Sequence, residues 1–320
     1  MPIIEKSSYN TSPFYLFNGH LQTMIPSVFR NVEGIAYTRE RINTPDGDFL
    51  DLDYSRINSN KLVIISHGLE GDSHRGYMKA MAKSFNQAGY DAIAWNYRGC
   101  SGEINKSRRL YHSGATDDLD VVVKHAVTRT TYEEIVMVGF SLGGNLTLRY
   151  LGEQNTAIDN KIKSGIVFSV PLDLHAGSIQ ISQPGNILYA KRFQRKLKAK
   201  IRSKAKQYAD INIDNLDKIN TLFEFDENYT APIHGFDGAV DYYTKCSALN
   251  NLEEITIPTL IVNAKNDPFL PQECYPTDLL KNHNNVFLEI PEQGGHVGFS
   301  NAQEIYWSER RAVEFSQRGA

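Results

Sequence analysis

Three polar residues, far apart in the chain and each set among loop-forming neighbours, are of the types that nucleophilic hydrolysis needs. Ser141 sits in Gly139-Phe140-Ser141-Leu142-Gly143, Asp267 in "AKNDPF" and His296 in "QGGHVGF". A serine hydroxyl is too weak an acid to attack a carbonyl unaided. It needs a base to take its proton, and the base needs a partner that fixes its tautomer. Serine, acid and histidine come in that order, 126 residues from Ser141 to Asp267 and 29 more to His296. The pentapeptide also suits a sharp turn that pushes the serine outward and aims the next backbone N–H, that of Leu142, at a developing oxyanion. A second donor is expected from "SHGLEG" (66–71), with Leu69 N–H favoured and Gly68 N–H as its near competitor.

Such residues can meet only if strands and turns carry them to one edge. Short apolar, β-branched runs read as strands at 34–42, 48–54, 61–68, 90–99, 134–139, 164–170, 258–264 and 285–290. The first two flank "NTPDG" and read as an antiparallel hairpin. The others alternate with stretches of helical periodicity, such as 76–89 and 116–127, which implies βα units and parallel pairing. Continuous apolar runs are what parallel strands buried on both faces require. The expectation is an α/β fold with an eight-stranded, mostly parallel sheet and helices on both faces. Ser141, Asp267 and His296 would each follow a strand at the carboxyl edge. Residues 172–251 break the rhythm and read as a helical cap or lid inserted into a core of 1–171 and 252–320.

Rival readings attach to several residues. A glycine-rich phosphate turn at Ser141 would want a Lys-Ser/Thr or a GxGxxG spacing, and neither is present. His283 lies in a polar turn and is a weaker candidate base. Asp173, after "SVPL", could replace Asp267 or merely cap the first turn of the insertion. Asp117, Asp118 and Asp120 resemble a carboxylate cluster but suit a helix start. "DGDFLDLD" (46–53) has the acids of a calcium loop, yet carries Asp51 where glycine is wanted and Ile57 where glutamate is wanted. It reads better as a hairpin strand with one solvated face. "KRFQRKLKAKIRSKAKQ" (191–207) holds nine basic residues and no acid, with Phe193, Leu197, Ile201 and Ala205 at every fourth position. That is an amphipathic cap helix, and its basic face could touch anionic lipid or an acidic substrate such as acyl-CoA. Cys100 reads as a plain loop residue with no base to activate it.

Across the whole chain, 34 basic and 37 acidic residues give a net charge of -3, which offers nucleic acid no general attraction. Three scattered cysteines argue against a disulfide framework and for a reducing compartment. No apolar stretch is long enough to span a membrane, and the first residues lack a secretory pattern. The expected setting is the cytoplasm, with no metal and no organic cofactor. Oligomeric state is not legible.

The motifs "HGLEG", "NYRGCSGE", "YHSGATDDL", "GFSLGGN", "SVPLDL", "NDPF" and "GGHVGF", with "NGHLQT" (18–23) near the start, resemble the α/β-hydrolase group of bacterial YheT-like and eukaryotic abhydrolase-domain proteins. The resemblance runs over nearly the whole chain. It implies a serine hydrolase of carboxylic esters, with Ser141, Asp267 and His296 matching the family's triad. Some members of the group make esters from acyl-CoA and alcohols instead, and a non-catalytic binding protein on the same fold is the remaining alternative. The role of "NGHLQT" divides between lining the site's mouth and tying the N-terminal segment to the core, with the second favoured.

Overall fold

The computed structural model describes residues 2–9, 12–129, 131–301 and 303–318. Its centre is one sheet of nine strands: β1 (Ile3–Ile4), β2 (Thr38–Asn43), β3 (Phe49–Ser55), β4 (Lys61–Ser66), β5 (Asp91–Asn96), β6 (Glu134–Phe140), β7 (Ile162–Phe168), β8 (Thr259–Val262) and β9 (Val286–Glu289). They lie in the order β1-β9-β8-β7-β6-β4-β5-β3-β2. Only β3, among the described residues, runs antiparallel to its neighbours. Every strand expected from the sequence is present. The expected count of eight is corrected to nine by β1, which pairs Ile3 with Leu288 of β9. Two residues are too few to show a period, so β1 left no signal.

The apolar runs are explained by what covers each face. Leu62 and Ile64 of β4 face one core with α3 (Thr116–Val127) and α4 (Leu142–Gln154). Val63 and Ile65 point the other way, into a core shared with α2 (Gly76–Gln87) and the helix Trp307–Arg318. Side chains alternate across a strand, so covering both faces demands apolar residues at every position.

The hairpin departs from the sequence reading in one respect. Asp51 and Asp53 do not lie on a solvated face; they are 1% and 2% exposed. Strand β3 is internal, between β2 and β5, and Arg41 and Arg39 fold over its acids with N–O distances of 2.7 and 2.8 Å. Asp117 and Asp118 lie in the first turn of α3, as the helix-start reading expected, and Asp118 is in addition buried. It pairs with Arg98, which also holds Asp46 and Asp48. Burial would push Asp48 up, but hydrogen bonds from Ser107, Asn105 and the Lys106 backbone outweigh it and leave that carboxyl well below its ordinary value.

Between β7 and β8 the chain forms α5 (Leu174–Ile181), α6 (Ile187–Ala205), an uninterrupted helical stretch from Leu222 to His234 with a π segment at Asp226–Thr230, a further helix Ala239–Cys246, and short 3-10 segments. Near the start of the chain, α1 (Gly19–Phe29) begins at Asn18, whose side chain accepts from Leu21 N–H.

Candidate active site

Strand β6 ends at Phe140 and α4 begins at Leu142, so Ser141 alone makes the corner. Its backbone is forced to φ 53° and ψ -119°, a region that costs an ordinary side chain about 1–3 kcal/mol. Both flanking glycines are needed for contact reasons. A Cβ on Gly139 would strike the Gly143 carbonyl, and one on Gly143 would strike the carbonyls of Ser66 and His67.

The serine hydroxyl lies 2.9 Å from His296 Nε2. His296 Nδ1 lies 2.9 Å from Asp267 Oδ2 and 3.1 Å from Oδ1. A carboxylate can only accept, so Nδ1 carries the proton toward Asp267 and Nε2 is left to accept from Ser141. The Asp267 carboxylate is fully buried and also accepts from Phe269 N–H at 2.9 Å. The Phe269 ring covers the imidazole, with centroids 4.3 Å apart. The structure thus brings Ser141, His296 and Asp267 into one hydrogen-bonded row.

The rivals are elsewhere. Asp173 caps α5, accepting from Ala176 N–H at 2.9 Å. His283 Nδ1 accepts from the backbone N–H groups of Asn285 and Val286. Asp117 pairs with Arg109 at 2.6 Å.

Leu142 N–H is the first donor of α4, a position with no intrahelical acceptor. Gly68 N–H donates to Tyr77 Oη at 3.0 Å and is therefore spent. Among the described residues, neither Leu69 N–H nor Leu142 N–H has a protein acceptor. His67 shapes the loop between them. Its Nδ1 donates to Gly68 O at 2.8 Å and its Nε2 accepts from Tyr97 N–H at 3.4 Å. Burial pushes its pKa down to about 3, so the ring is neutral as that pattern requires.

Three supporting residues hold the backbone around the site: Gln22 and Thr23 belong to the "NGHLQT" segment already singled out, whereas Ser169 had no legible signal, because a lone hydroxyl carries no spacing. Thr23 Oγ1 accepts from His296 N–H at 2.8 Å, and Ser169 Oγ accepts from Val297 N–H at 2.9 Å. Gln22 Oε1 accepts from Gly294 N–H and from Asn266 Nδ2, at 2.8 and 2.9 Å. The "NGHLQT" segment therefore ties down both loops that carry Asp267 and His296. Thr23 also reaches the mouth of the site.

Helix α6 is less solvated than its charge suggested. Lys196 Nζ donates to Glu70 O, and Lys200 Nζ to Glu70 Oε1, each at 2.8 Å. Lys200 also lies 2.9 Å from Cys100 Sγ. Burial would push the Lys200 ammonium down, but Cys100 and Glu70 hold it above its ordinary pKa, so it stands beside that thiol as a donor and not as a base. Desolvation still pushes the thiol up to about 11, so it stays protonated at neutral pH.

Two clefts meet at Ser141 and His296. One, of about 890 Å³, is mostly apolar and is lined by Leu142 together with Leu174, Ile181, Leu197, Leu222 and Tyr242. Asp226 is the acid in its wall. Burial raises its pKa to about 6, although Thr230 and Tyr243 donate to it. The other cleft, of about 950 Å³, opens toward α1 and α2. Among the described residues, no group of three or more His, Cys, Asp or Glu side chains could hold a metal ion, and no helix is long and apolar enough to cross a membrane.

Comparison with known proteins agrees with the fold. Residues 61–302 match the alpha/beta hydrolase fold family. The Escherichia coli protein named "Putative esterase YheT" is 33% identical over 93% of this chain and 90% of its own. Phospholipase ABHD3 of Mus musculus is 28% identical over 93% of this chain and 74% of its own. The monoacylglycerol lipase of Saccharomyces cerevisiae is 26% identical over 93% and 78%. Among solved structures, the Pyrococcus furiosus esterase Pf2001 superposes with a TM-score of 0.58 at 18% identity, covering 90% of this chain and 98% of that one, a likeness of fold.

Proposed function

The chain belongs to the alpha/beta hydrolase fold family, in the group of the Escherichia coli YheT protein, and from that premise we propose that it is a serine esterase cleaving acyl or lipid-like carboxylic esters through an acyl-enzyme on Ser141. The observation that carries the reading is the hydrogen-bonded row from Ser141 Oγ through His296 to Asp267, on a strained corner.

In this reading Ser141 Oγ attacks the ester carbonyl carbon while His296 Nε2 takes its proton. The carbonyl oxygen becomes an oxyanion held by the N–H groups of Leu69 and Leu142. One such donor is worth about 3–4 kcal/mol of barrier in comparable sites. Asp267 holds the imidazole in place and stabilises its positive charge. Collapse of the tetrahedral species breaks the bond to the alcohol oxygen, which leaves with the proton from Nε2. Water then enters, gives its proton to Nε2 and attacks the acyl carbon, and the acid and free serine are released. Every step uses side chains and backbone of this chain.

Residues 172–251 act as a cap over a core of 1–171 and 252–320. The support is that Leu174, Ile181, Phe193, Leu197, Leu222 and Tyr242 of that segment wall the apolar cleft. The long apolar wall favours the acyl half of the substrate there.

A fluorophosphonate probe and a panel of p-nitrophenyl esters of increasing chain length test the proposal. Wild-type protein should be labelled and should release nitrophenol. Ser141→Ala should lose labelling and drop to background rates, by about 10³-fold or more. Labelling that persists in Ser141→Ala would refute the assignment of the nucleophile.

A further inference from the structure

The second cleft differs chemically from the first, although Ser141, His296, Leu69, Phe193 and Phe269 line both. Its walls bring Arg75, at the start of α2, together with Arg192 and Lys196 of α6. Arg30 is there too, but it is committed to Glu309 at 2.8 Å. Glu70 is the acid of the lining, and its carboxylate already accepts from Lys200 and Tyr111. Asp72 stands nearby, 3.9 Å from Arg75. Among the described residues, the Arg192 guanidinium has no acidic partner, and Lys196 donates only to a backbone carbonyl.

These cations disturb one another. Arg192 lies below its ordinary pKa, through burial first and then through repulsion by Arg75 and Arg195. Lys196 is lowered in the same way, by burial and by Arg75 and Arg192, against the pull of Glu70 and Asp72. Among the described residues, Arg192 and Lys196 have no carboxylate of their own and Arg75 has only the long contact to Asp72, so an anion between the three would stabilise them. Helix α2 adds to the same field. Its first residues, Gly76 and Tyr77, line the cleft, and its N-cap Arg75 supplies no side-chain acceptor to the free N–H groups. The positive end of the helix dipole thus faces the same space.

Ser141 stands where the apolar and cationic arms meet. An ester bound across that junction places one half in each. The arm without cations suits the hydrocarbon chain, which leaves the cationic arm for the alcohol half. We propose that the cleft lined by Arg75, Arg192 and Lys196 holds a phosphate carried on the alcohol side of the substrate, making acyl esters of phosphorylated alcohols the substrate class. This assignment rests on Ser141 being the nucleophile.

The test separates the two ideas by reading binding with the nucleophile removed. In Ser141→Ala protein, calorimetry compares 1-hexanoylglycerol 3-phosphate with neutral 1-hexanoylglycerol. The phosphate ester should bind about tenfold tighter or better, and salt should erode the difference. Adding Arg192→Gln or Arg75→Gln should collapse that preference, and Arg192→Lys should retain part of it. Circular dichroism checks that each variant is folded. Equal binding of the two esters, or a preference that survives both substitutions, overturns the proposal even if Ser141 labels normally. A preference in the binding assay upholds it even if wild-type protein cleaves neither ester. A further arm offers 1-oleoylglycerol 3-phosphate in phosphatidylcholine vesicles. Retention of the preference there assigns a lipid headgroup, and its confinement to the dispersed ester assigns a soluble phosphate ester.

Discussion

Thr23 shows how much of the site depends on residues that never meet substrate chemistry. Its hydroxyl accepts from His296 N–H at 2.8 Å and donates to Gly19 O at 2.6 Å. Thr23→Val keeps the shape and removes both bonds, leaving the backbone beside the base without its anchor. Steady-state kinetics on a p-nitrophenyl ester should show kcat lower by about 10–100-fold with KM much less affected, and Thr23→Ser should recover most of the rate. His67 carries a different expectation. Its pKa moves from 6.5 down to about 3 on burial. Between those values the unfolded chain binds a proton that the folded chain refuses, so stability falls as pH drops below 6.5. The contribution is about 1.4 kcal/mol per pH unit. Urea unfolding of wild type and His67→Gln at pH 7.5, 6 and 5 should show the wild type losing stability more steeply by roughly that slope. Parallel slopes would place the titration elsewhere.

At the scale of elements, α6 braces the loop that presents Leu69. Lys200 spans from the helix to Glu70, whose side chain is 4% exposed. Lys200→Met leaves that carboxylate with Tyr111 as its remaining donor, and thermal unfolding should register a loss of about 3 kcal/mol. The rate should fall with it, because the proposed mechanism draws an oxyanion donor from that loop. Strands β4 to β7 were legible because each is sandwiched between two cores and is apolar at most positions, and β2 and β3 because a turn-rich stretch joins them. Ser141, Asp267 and His296 stood out because each follows a strand in a turn-rich loop. What stayed hidden was decided by side chains distant in sequence. Asp267 and Asp173 both follow strands, and only the folded chain shows the second capping α5. Leu69 and Gly68 compete as donors until Tyr77, nine residues on, takes the Gly68 N–H. The acids of β3 look solvent-facing in an alternating pattern, and the arginines that cover them lie on the strand next door.

For the molecule as a whole, the helical segment between β7 and β8 supplies most of one wall of the apolar cleft. If that wall measures acyl length, filling it should change preference without touching the triad. Leu222→Trp should shift the optimum of an ester chain-length series shorter by about two to four carbons, since each buried methylene contributes about 0.8 kcal/mol and the displaced ones lose their contacts. A uniform fall at every length would assign the segment a merely structural part. Beyond the cleft, one bond pattern joins distant parts of the chain. Gln22 and Thr23 hold Gly294 and His296 across separations of 272 and 273 residues. A ribosome releases the first pair 272 residues before the second. The corner at Ser141 can fold in the middle of synthesis, but His296 has no seat until its own loop emerges and finds α1 already waiting. A growing polypeptide therefore carries Ser141 without its imidazole neighbour. Timing, as well as geometry, decides when the two side chains meet.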